Sequence, residues 1–560
     1  MEYSALVDRY EALDATDADT ALIEEVAATL SAADPATLGS IVTLLQGQAF
    51  VAWDDRDLGV SSSLTRTAIA KATGHEEARI EDWWRETGDL GSAAARAVEN
   101  DRQASLFGQT LTVERVQETL ESVAEYEGAG SQERKVDAIA GLLSDADPAT
   151  AKYVVRTVLG HLRIGVGEGV MRDAIATAFL SGEDEDVAAV ERAYQVTNDY
   201  RVVADTARTE GRPGLDALEV AVGRPIDVML AEKADSIGDA IGRVADQPGA
   251  VLGEYKYDGV RAQVHVDGDD VQVFTRRLTD VTEQFPDVVE AVRAGVEADT
   301  AILEGEIVAY DPETGGMVPF QTLSKRIKRK HDVQAAVESI PVTLYLFDAI
   351  YVEGSLLEEP LERRLAALDS VVSERPGEIE RAANRSSGDP DGLADFYEDA
   401  LEAGQEGIMV KNLAASYQPG SRVGYMMKVK PTLETLDLVV VRATYSEGRR
   451  SNQLGRLYLA CREAESGTFR EIGRLSTGFT DEELATVTER LEPLIVETEG
   501  RDVTLEPAVV LEVEFEELQT SPEYDSGYAL RFPRFVGFRE DLSPADADTL
   551  DRVERLYETQ

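Results

Sequence analysis

Positive charge is what this 560-residue chain is short of: 55 lysines and arginines stand against 107 aspartates and glutamates, a net of −52. Cysteine is almost missing as well. Cys461 is the only one, which excludes intrachain disulfides and cysteine-built zinc sites. No apolar run approaches the ~18–20 residues needed to span a bilayer. Met1-Glu2-Tyr3-Ser4 lacks the basic start and apolar stretch of a signal peptide. A soluble, cytoplasmic protein with no membrane attachment is the expectation. The acid excess allows three readings. Disorder is opposed by a 43% hydrophobic content and by regular periodicity. A nucleic-acid mimic would carry its acids in blocks, and here they are scattered. Adaptation to concentrated salt, where acidic surfaces keep proteins soluble, fits better. On charge alone a nucleic-acid binder would be rejected.

At roughly 150 residues per domain the length suggests three or four domains. The first ~220 residues read as helical. Val136, Ile139, Ala140 and Leu143 follow the i, i+3, i+4, i+7 pattern, as do Val155, Val158, Leu159 and Leu162, with Asp147-Pro148 as a helix start between them. Past Gly223-Arg224-Pro225 short alternating segments take over, and Glu374 to Asp399 reads as an acidic surface excursion. After Pro431 the pattern is of strands: Val509, Leu511, Val513 and Phe515 alternate with Glu512, Glu514 and Glu516. This gives a helical domain, a central α/β domain and a small β-rich domain.

Chemistry gathers in the central part. If Glu254-Tyr255-Lys256-Tyr257-Asp258-Gly259 is extended, Glu254, Lys256 and Asp258 share one strand face. Lys428 and Lys430 share another, with Met427 and Val429 opposite. Leu303 to Val308 places Glu304 and Glu306 in an apolar strand, and Glu406 to Lys411 offers an acid at one end and a lysine at the other. By itself the first segment is equally an exposed strand with a local ion pair. Three lysine-bearing and two acid-bearing strands, in a chain short of base, point to one pocket for a polyanion and a metal.

Taken together and in order, these motifs resemble those of ATP-dependent DNA ligases of the archaeal and eukaryotic replicative type. Lys256-x-Asp258-Gly259 resembles the adenylation motif, and Phe274-Thr275-Arg276-Arg277 the next. Leu303 to Asp311, Leu346-Phe347-Asp348, Glu406 to Lys411 and Lys428-Val429-Lys430 follow in family order. Leu530 to Phe535 and Arg539-Glu540-Asp541 resemble the last motif, while Asn198-Asp199-Tyr200 and Leu162 to Gly165 resemble the DNA-binding domain. The likeness covers nearly the whole chain. With the acidic composition, it implies a ligase from a halophilic archaeon.

The resemblance implies a multidomain fold: an all-α DNA-binding domain over residues 1–222, an α/β nucleotidyltransferase (adenylation) domain over 223–433 and a β-barrel OB-fold domain over 434–560. It implies that Lys256 attacks the α-phosphate of ATP. Glu254, Arg261, Arg276, Glu306, Phe347, Arg422, Lys428 and Lys430 would bind the nucleotide, and Glu306 and Glu406 would hold Mg²⁺. Hard oxygen donors suit that ion, and cations beside phosphate oxygens stabilise transition-state charge. Nicked double-stranded DNA would be the substrate and the enzyme a monomer. Two departures stand out: Leu542 follows Asp541 where the family often has lysine, and Met426 stands where an aromatic often precedes the paired lysines.

Smaller signals remain open. Gly165-Val166-Gly167-Glu168-Gly169 is a turn that either touches DNA phosphates or does not. Lys325 to Lys330 is the one dense basic run, read as a DNA-backbone contact or a solvated helix end. Arg449-Arg450 is a weaker candidate of the same kind. Gln103-Ala104-Ser105-Leu106-Phe107 resembles a sliding-clamp-binding peptide through Gln103, Leu106 and Phe107, or else Phe107 belongs to the core. Rival functions are weaker. An NAD⁺-dependent ligase would need a four-cysteine zinc module, an RNA ligase or capping enzyme leaves the helical domain unexplained, and an acidic scaffold has no need of Lys256.

Overall fold

The computed structural model describes residues 1–560 apart from 17, 52, 55, 101–108, 245–250, 319, 328, 330, 387–389, 423, 432–434, 447–452, 465 and 560. The chain divides into two compact units, Met1–Lys430 and Pro431–Gln560.

Among the described residues, the elements between Tyr3 and Asp216 in the first unit are helices, and they share one large apolar core. The sequence pattern accounts for it locally. Val136, Ile139, Ala140 and Leu143 all point inward from the helix Ser131–Ser144. The next helix, Pro148–Val158, begins where expected, with the Asp147 side chain accepting from the Thr150 amide and proline in the first turn. It stops at Val158, so Leu162, although buried, lies beyond it. Gly160 at φ +66° turns the chain away in the left-handed conformation.

Among the described residues ten strands follow: β1 (Glu232–Lys233), β2 (Val251–Tyr255), β3 (Val260–Asp267), β4 (Asp270–Thr275), β5 (Thr300–Ala309), β6 (Val342–Val352), β7 (Ile379–Arg381), β8 (Asn384–Ser386), β9 (Ile408–Asn412) and β10 (Met426–Val429). They form two five-stranded sheets, ordered β1-β10-β9-β2-β8 and β4-β3-β5-β6-β7. Period-two alternation divides the first sheet. Val251, Ile408, Val410, Met427 and Val429 pack with residues of the helices Ile237–Val244 and Pro390–Glu402. Glu254, Met409 and Lys428, paired across β2, β9 and β10, make a row on the other face. In the second sheet Val260, Ala262, Val264, Leu303, Ile307, Leu344 and Leu346 pack with the helix Pro286–Gly295, leaving Arg261, Gln263, Glu304 and Glu306 on the opposite face.

Two expectations are corrected here. The Glu374–Asp399 stretch is no surface excursion. It supplies β7 to one sheet and β8 to the other, and its helix buries Leu393, Phe396 and Ala400. Nor do Glu254, Lys256 and Asp258 share one strand face, because β2 ends at Tyr255 and the other two lie in the connection to β3.

In the second unit a seven-stranded antiparallel sheet runs through β11 (Leu436–Tyr445), β12 (Leu454–Arg462), β13 (Phe469–Leu475), β14 (Ile495–Glu499), β15 (Asp502–Leu505), β16 (Val510–Glu514) and β19 (Arg534–Phe538). Beside it stands the hairpin β17 (Glu517–Thr520) and β18 (Tyr528–Arg531). Leu511, Val513 and Phe515 are buried as the alternation requires, with Glu512 and Glu514 less so. Among the described strands no pairing closes this sheet into a barrel. Leu542, the departure from the last motif, packs against Val439, Val510 and Ala547, so its side chain has an apolar role in this unit.

Candidate active site

The connection from β2 to β3 carries Lys256. Its amide donates to Gly407 O at 3.0 Å and its carbonyl accepts from the Glu406 amide at 3.0 Å, so the backbones of two distant segments are stitched together. Gly407, at φ +130°, permits this: a Cβ there would collide with the Val429 carbonyl oxygen. The stitching delivers Glu406 to the Lys256 ammonium, and the two form an ion pair. Lys430, just past β10, reaches the same carboxylate at 2.9 Å. Burial pushes the Glu406 carboxyl up, but Lys256 and Lys430 outweigh it and hold the group below its ordinary range.

Glu306 on β5 faces the same group of charges. Burial pushes its carboxyl up to about 7; Lys256 and Arg261 pull it down, while Glu406 and Asp258 oppose them. Glu306 and Glu406 are thus two hard-oxygen groups beside the amine, one ionised and one divided about equally between acid and carboxylate at pH 7. That donor set fits Mg²⁺, which takes one or two protein carboxylates and draws its other ligands from water and phosphate. Among the described residues no cluster of three acidic, histidine or cysteine ligands could hold a metal by itself, as expected if substrate oxygens complete the shell.

A neighbouring cavity is lined by residues that include Met229, Arg261, Glu304, Phe347, Asp348, Lys411, Tyr417, Tyr425 and Met426. Arg261 donates to Glu304 at 2.7 Å and to Met229 O at 2.8 Å, and Tyr417 donates to Glu304 at 2.9 Å. Asp348 is fixed by Arg364 at 2.8 and 3.0 Å. Lys411 pairs with Glu254 at 2.5 Å and lies 4.5 Å from the centre of the Phe347 ring, with the Arg261 guanidinium 5.4 Å from the same ring. Two buried polar atoms here lack a hydrogen-bond partner, Glu254 Oε2 and Arg261 Nε. Buried polar groups are otherwise almost always satisfied, so the pocket offers one acceptor and one donor to a ligand.

Arg276 extends the positive field. Partial burial and the neighbouring Arg261 and Arg422 guanidiniums lower its pKa, so both stand close enough to Arg276 to repel it. Arg276 and Arg277 sit in a turn closed by Leu278 N to Thr275 O at 2.8 Å, and Leu278 adopts φ +62° with its side chain buried. A strained non-glycine residue of this kind costs about 1–3 kcal/mol and persists where packing demands it.

Tertiary structure therefore gathers Lys256, Glu406, Lys430 and Glu306 around one point, and Glu254, Arg261 and Phe347 around another. Arg261 and Arg422 both lie near Arg276, and Lys428 lies in the Glu254–Met409 row. The sequence assigned Lys411 no role beyond its place on a lysine-bearing strand of the pocket, and did not point to Tyr417 at all. Lys411 was visible as a strand-end lysine, but its partner Glu254 lies 157 residues away; Tyr417 carries no local signal. The basic run is corrected in part. Arg326 is buried against Phe285 and bound by Asp287, Gln284 O and Ile340 O, so it cannot meet DNA. Lys328 and Lys330 lie outside the described residues, as do Gln103, Leu106, Phe107, Arg449 and Arg450.

Comparison with known proteins bears on the whole chain. The family model described as ATP dependent DNA ligase domain matches residues 228–430, DNA ligase N terminus matches 2–176, and ATP dependent DNA ligase C terminal region matches 450–542. The DNA ligase of Methanopyrus kandleri is 44% identical over 100% of this chain and 99% of its own. That of Natronomonas pharaonis is 44% identical over 99% and 100%. The solved structure Pmar-Lig_Pre shares the fold at a TM-score of 0.60 and 15% identity, over 95% of this chain and 99% of that one.

Proposed function

The chain belongs to the ATP-dependent DNA ligase family, and from that premise we propose that Lys256 is the residue its reaction adenylates. The protein is a DNA ligase that uses ATP and Mg²⁺ and seals nicks through a covalent enzyme–adenylate. The carrying observation is that Lys256 shares Glu406 with Lys430, in the same fold where Glu254 presents a buried, unpartnered acceptor. The neutral Lys256 amine attacks the α-phosphorus of ATP; the N–P bond forms, the bond to the bridging oxygen breaks, and pyrophosphate leaves. Adenylate then passes to the 5′-phosphate at the nick, and the 3′-hydroxyl displaces AMP.

Glu254 accepts from the adenine amino group and Phe347 stacks on the base. Arg261, Arg276, Arg422, Lys428 and Lys430 hold phosphate and ribose oxygens. Glu306 and Glu406 hold Mg²⁺, which neutralises phosphate charge when bound. Incubation with α-labelled ATP should label the protein through an acid-labile, base-stable bond, and labelled NAD⁺ should not. Labelling by NAD⁺ alone would overturn the nucleotide assignment.

Residues 1–222 serve as the DNA-binding domain, 223–433 as the adenylation domain and 434–560 as an OB-fold barrel, and the enzyme works as a cytoplasmic monomer on nicked duplex DNA. Gln103, Leu106 and Phe107 form a docking peptide for a sliding clamp. Changing Leu106 and Phe107 to alanine should weaken clamp binding in a pull-down assay and leave clamp-free joining intact; unchanged clamp affinity removes the idea.

The acidic surface is a salt adaptation, which fits a halophilic archaeal source. Two polyanions repel at long range, yet phosphate contacts weaken as salt rises. At about 1 M salt the Debye length is only ~3 Å, so scattered acids are screened while direct arginine and lysine contacts persist. Joining should rise several-fold from about 0.1 M KCl to an optimum near roughly 1 M, in step with thermal stability. Maximal activity at the low-salt end would remove the adaptation and leave the ligase assignment untouched.

A further inference from the structure

Glu254 and Lys411 form an ion pair that takes no part in the bond-making steps, and both are almost wholly buried, their side chains 3% and 6% exposed. Lys411 occupies Glu254 Oε1; Glu254 Oε2 has no partner. Burial of such a pair costs more than its attraction returns unless something specific is gained. Apolar residues of similar size would line this part of the pocket at lower cost.

We propose that Lys411 makes the pocket selective for a 6-aminopurine by holding Glu254 as a pure hydrogen-bond acceptor, which a 6-amino group satisfies and a 6-oxo group repels. This rests on the reading that Glu254 faces the purine amino edge. A carboxylate can only accept, whereas a carboxylic acid also donates. Burial drives the Glu254 carboxyl upward, and Lys411 is the largest opposing influence. Asp348 on β6 adds to the upward push and Arg261 on β3 resists it; the Tyr257 hydroxyl group lies within range as a further titratable neighbour. Without the Lys411 charge the balance shifts toward the acid. Its proton could then be donated to the O6 of a 6-oxopurine, and discrimination against that base would fall. A site built around one hydrogen-bond polarity rejects the wrong partner by leaving a buried group unpaired. Lys411 is a positioning residue in this scheme. It lies against Phe347 as well, so the same cation orders the acceptor and the stacking ring.

The test is single-turnover labelling of the full-length protein with ATP and with inosine triphosphate, which carries oxygen at C6 and a proton on N1. Wild type, Lys411→Met, Lys411→Arg and Glu254→Gln are compared. Wild type should prefer ATP by on the order of 10²-fold or more. In Lys411→Met the ATP concentration for half-maximal labelling rate should rise more than the maximal rate falls. The ATP-to-inosine preference should drop at least tenfold, and relative use of inosine should grow as pH is lowered. Lys411→Arg should retain the preference, and Glu254→Gln, whose amide can donate to O6, should lose it. If Lys411→Met does not fold, judged by circular dichroism, Lys411→Gln reads the same ratio with a polar, uncharged side chain. An unchanged ratio in the folded lysine variant overturns the proposal. Should Glu254→Gln still shift the ratio, the reading of Glu254 survives; should it not, that reading falls as well.

Discussion

Replacing Lys256 with alanine should abolish formation of the enzyme–adenylate, a loss of at least 10⁴-fold and below detection on a denaturing gel. The nucleophile in this step must be a neutral amine. A free lysine with a pKa of about 10.4 offers little of it at neutral pH, so a site must supply both the residue and its surroundings. Lys430 and Lys428 cannot substitute. Lys430 reaches Glu406 from just past β10, whereas the Lys256 backbone is fixed to residues 406 and 407, so the two amines are carried by different segments. A reaction dependent on near-attack geometry loses several orders of magnitude when that geometry goes. The same variant should still seal DNA whose 5′ end is already adenylated, because that step does not use the amine. Labelling of the alanine variant by α-labelled ATP at more than background would show that another residue is the nucleophile.

Glu406→Ala should reduce adenylation by about 10²- to 10³-fold, on the order of 3–4 kcal/mol of lost transition-state stabilisation. Two effects compete. Deleting Glu406 removes the counterion of Lys256, which by itself favours the attacking neutral form. A part-exposed ion pair of this kind is worth about 1 kcal/mol, roughly fivefold. The same deletion removes one of two carboxylates beside the amine, and with it the ligand to the divalent cation proposed above. The second effect is larger, so the net result is a loss. It should appear as a displaced Mg²⁺ titration with nicked-DNA affinity unaltered, since the helical region is untouched. A variant that keeps the wild-type Mg²⁺ dependence would place the metal elsewhere. Glu306→Ala should show the same displacement. There the wild-type carboxyl near pH 7 adds a pH signature: adenylation at limiting Mg²⁺ should improve as pH rises through that value, because the ionised form is the ligand.

Leu542 illustrates how far a motif can be read. Its place in the chain marks a lost cation, but the structure shows an apolar side chain packed with Val439, Val510 and Ala547. Arg539 of the same motif donates to Asp437 and Asp541 within its own unit. Glu304 and Glu306 make the complementary point. They look equivalent in an alternating strand, yet Glu304 is consumed by Arg261 and Tyr417 while Glu306 is left to face Lys256 and Glu406.

What the sequence determined by itself is the part of the protein encoded within short windows. Helical periodicity and the Asp147-Pro148 start are local properties, because capping and turn hydrogen bonds reach only three or four residues. Strand alternation likewise assigned Met427 and Val429 to one face and Lys428 to the other. The ordered motifs supplied the chemistry. Only the tertiary structure decided which charges meet. Lys256 and Glu406 are 150 residues apart, and Lys411 and Glu254 lie on neighbouring strands whose pairing no local pattern specifies. It also decided that β2 ends at Tyr255, that the acidic Glu374–Asp399 stretch feeds both sheets, and that Arg326 is buried. The reason is physical: a charge placed by its own strand has an address, but its energy depends on burial and on partners delivered by distant segments.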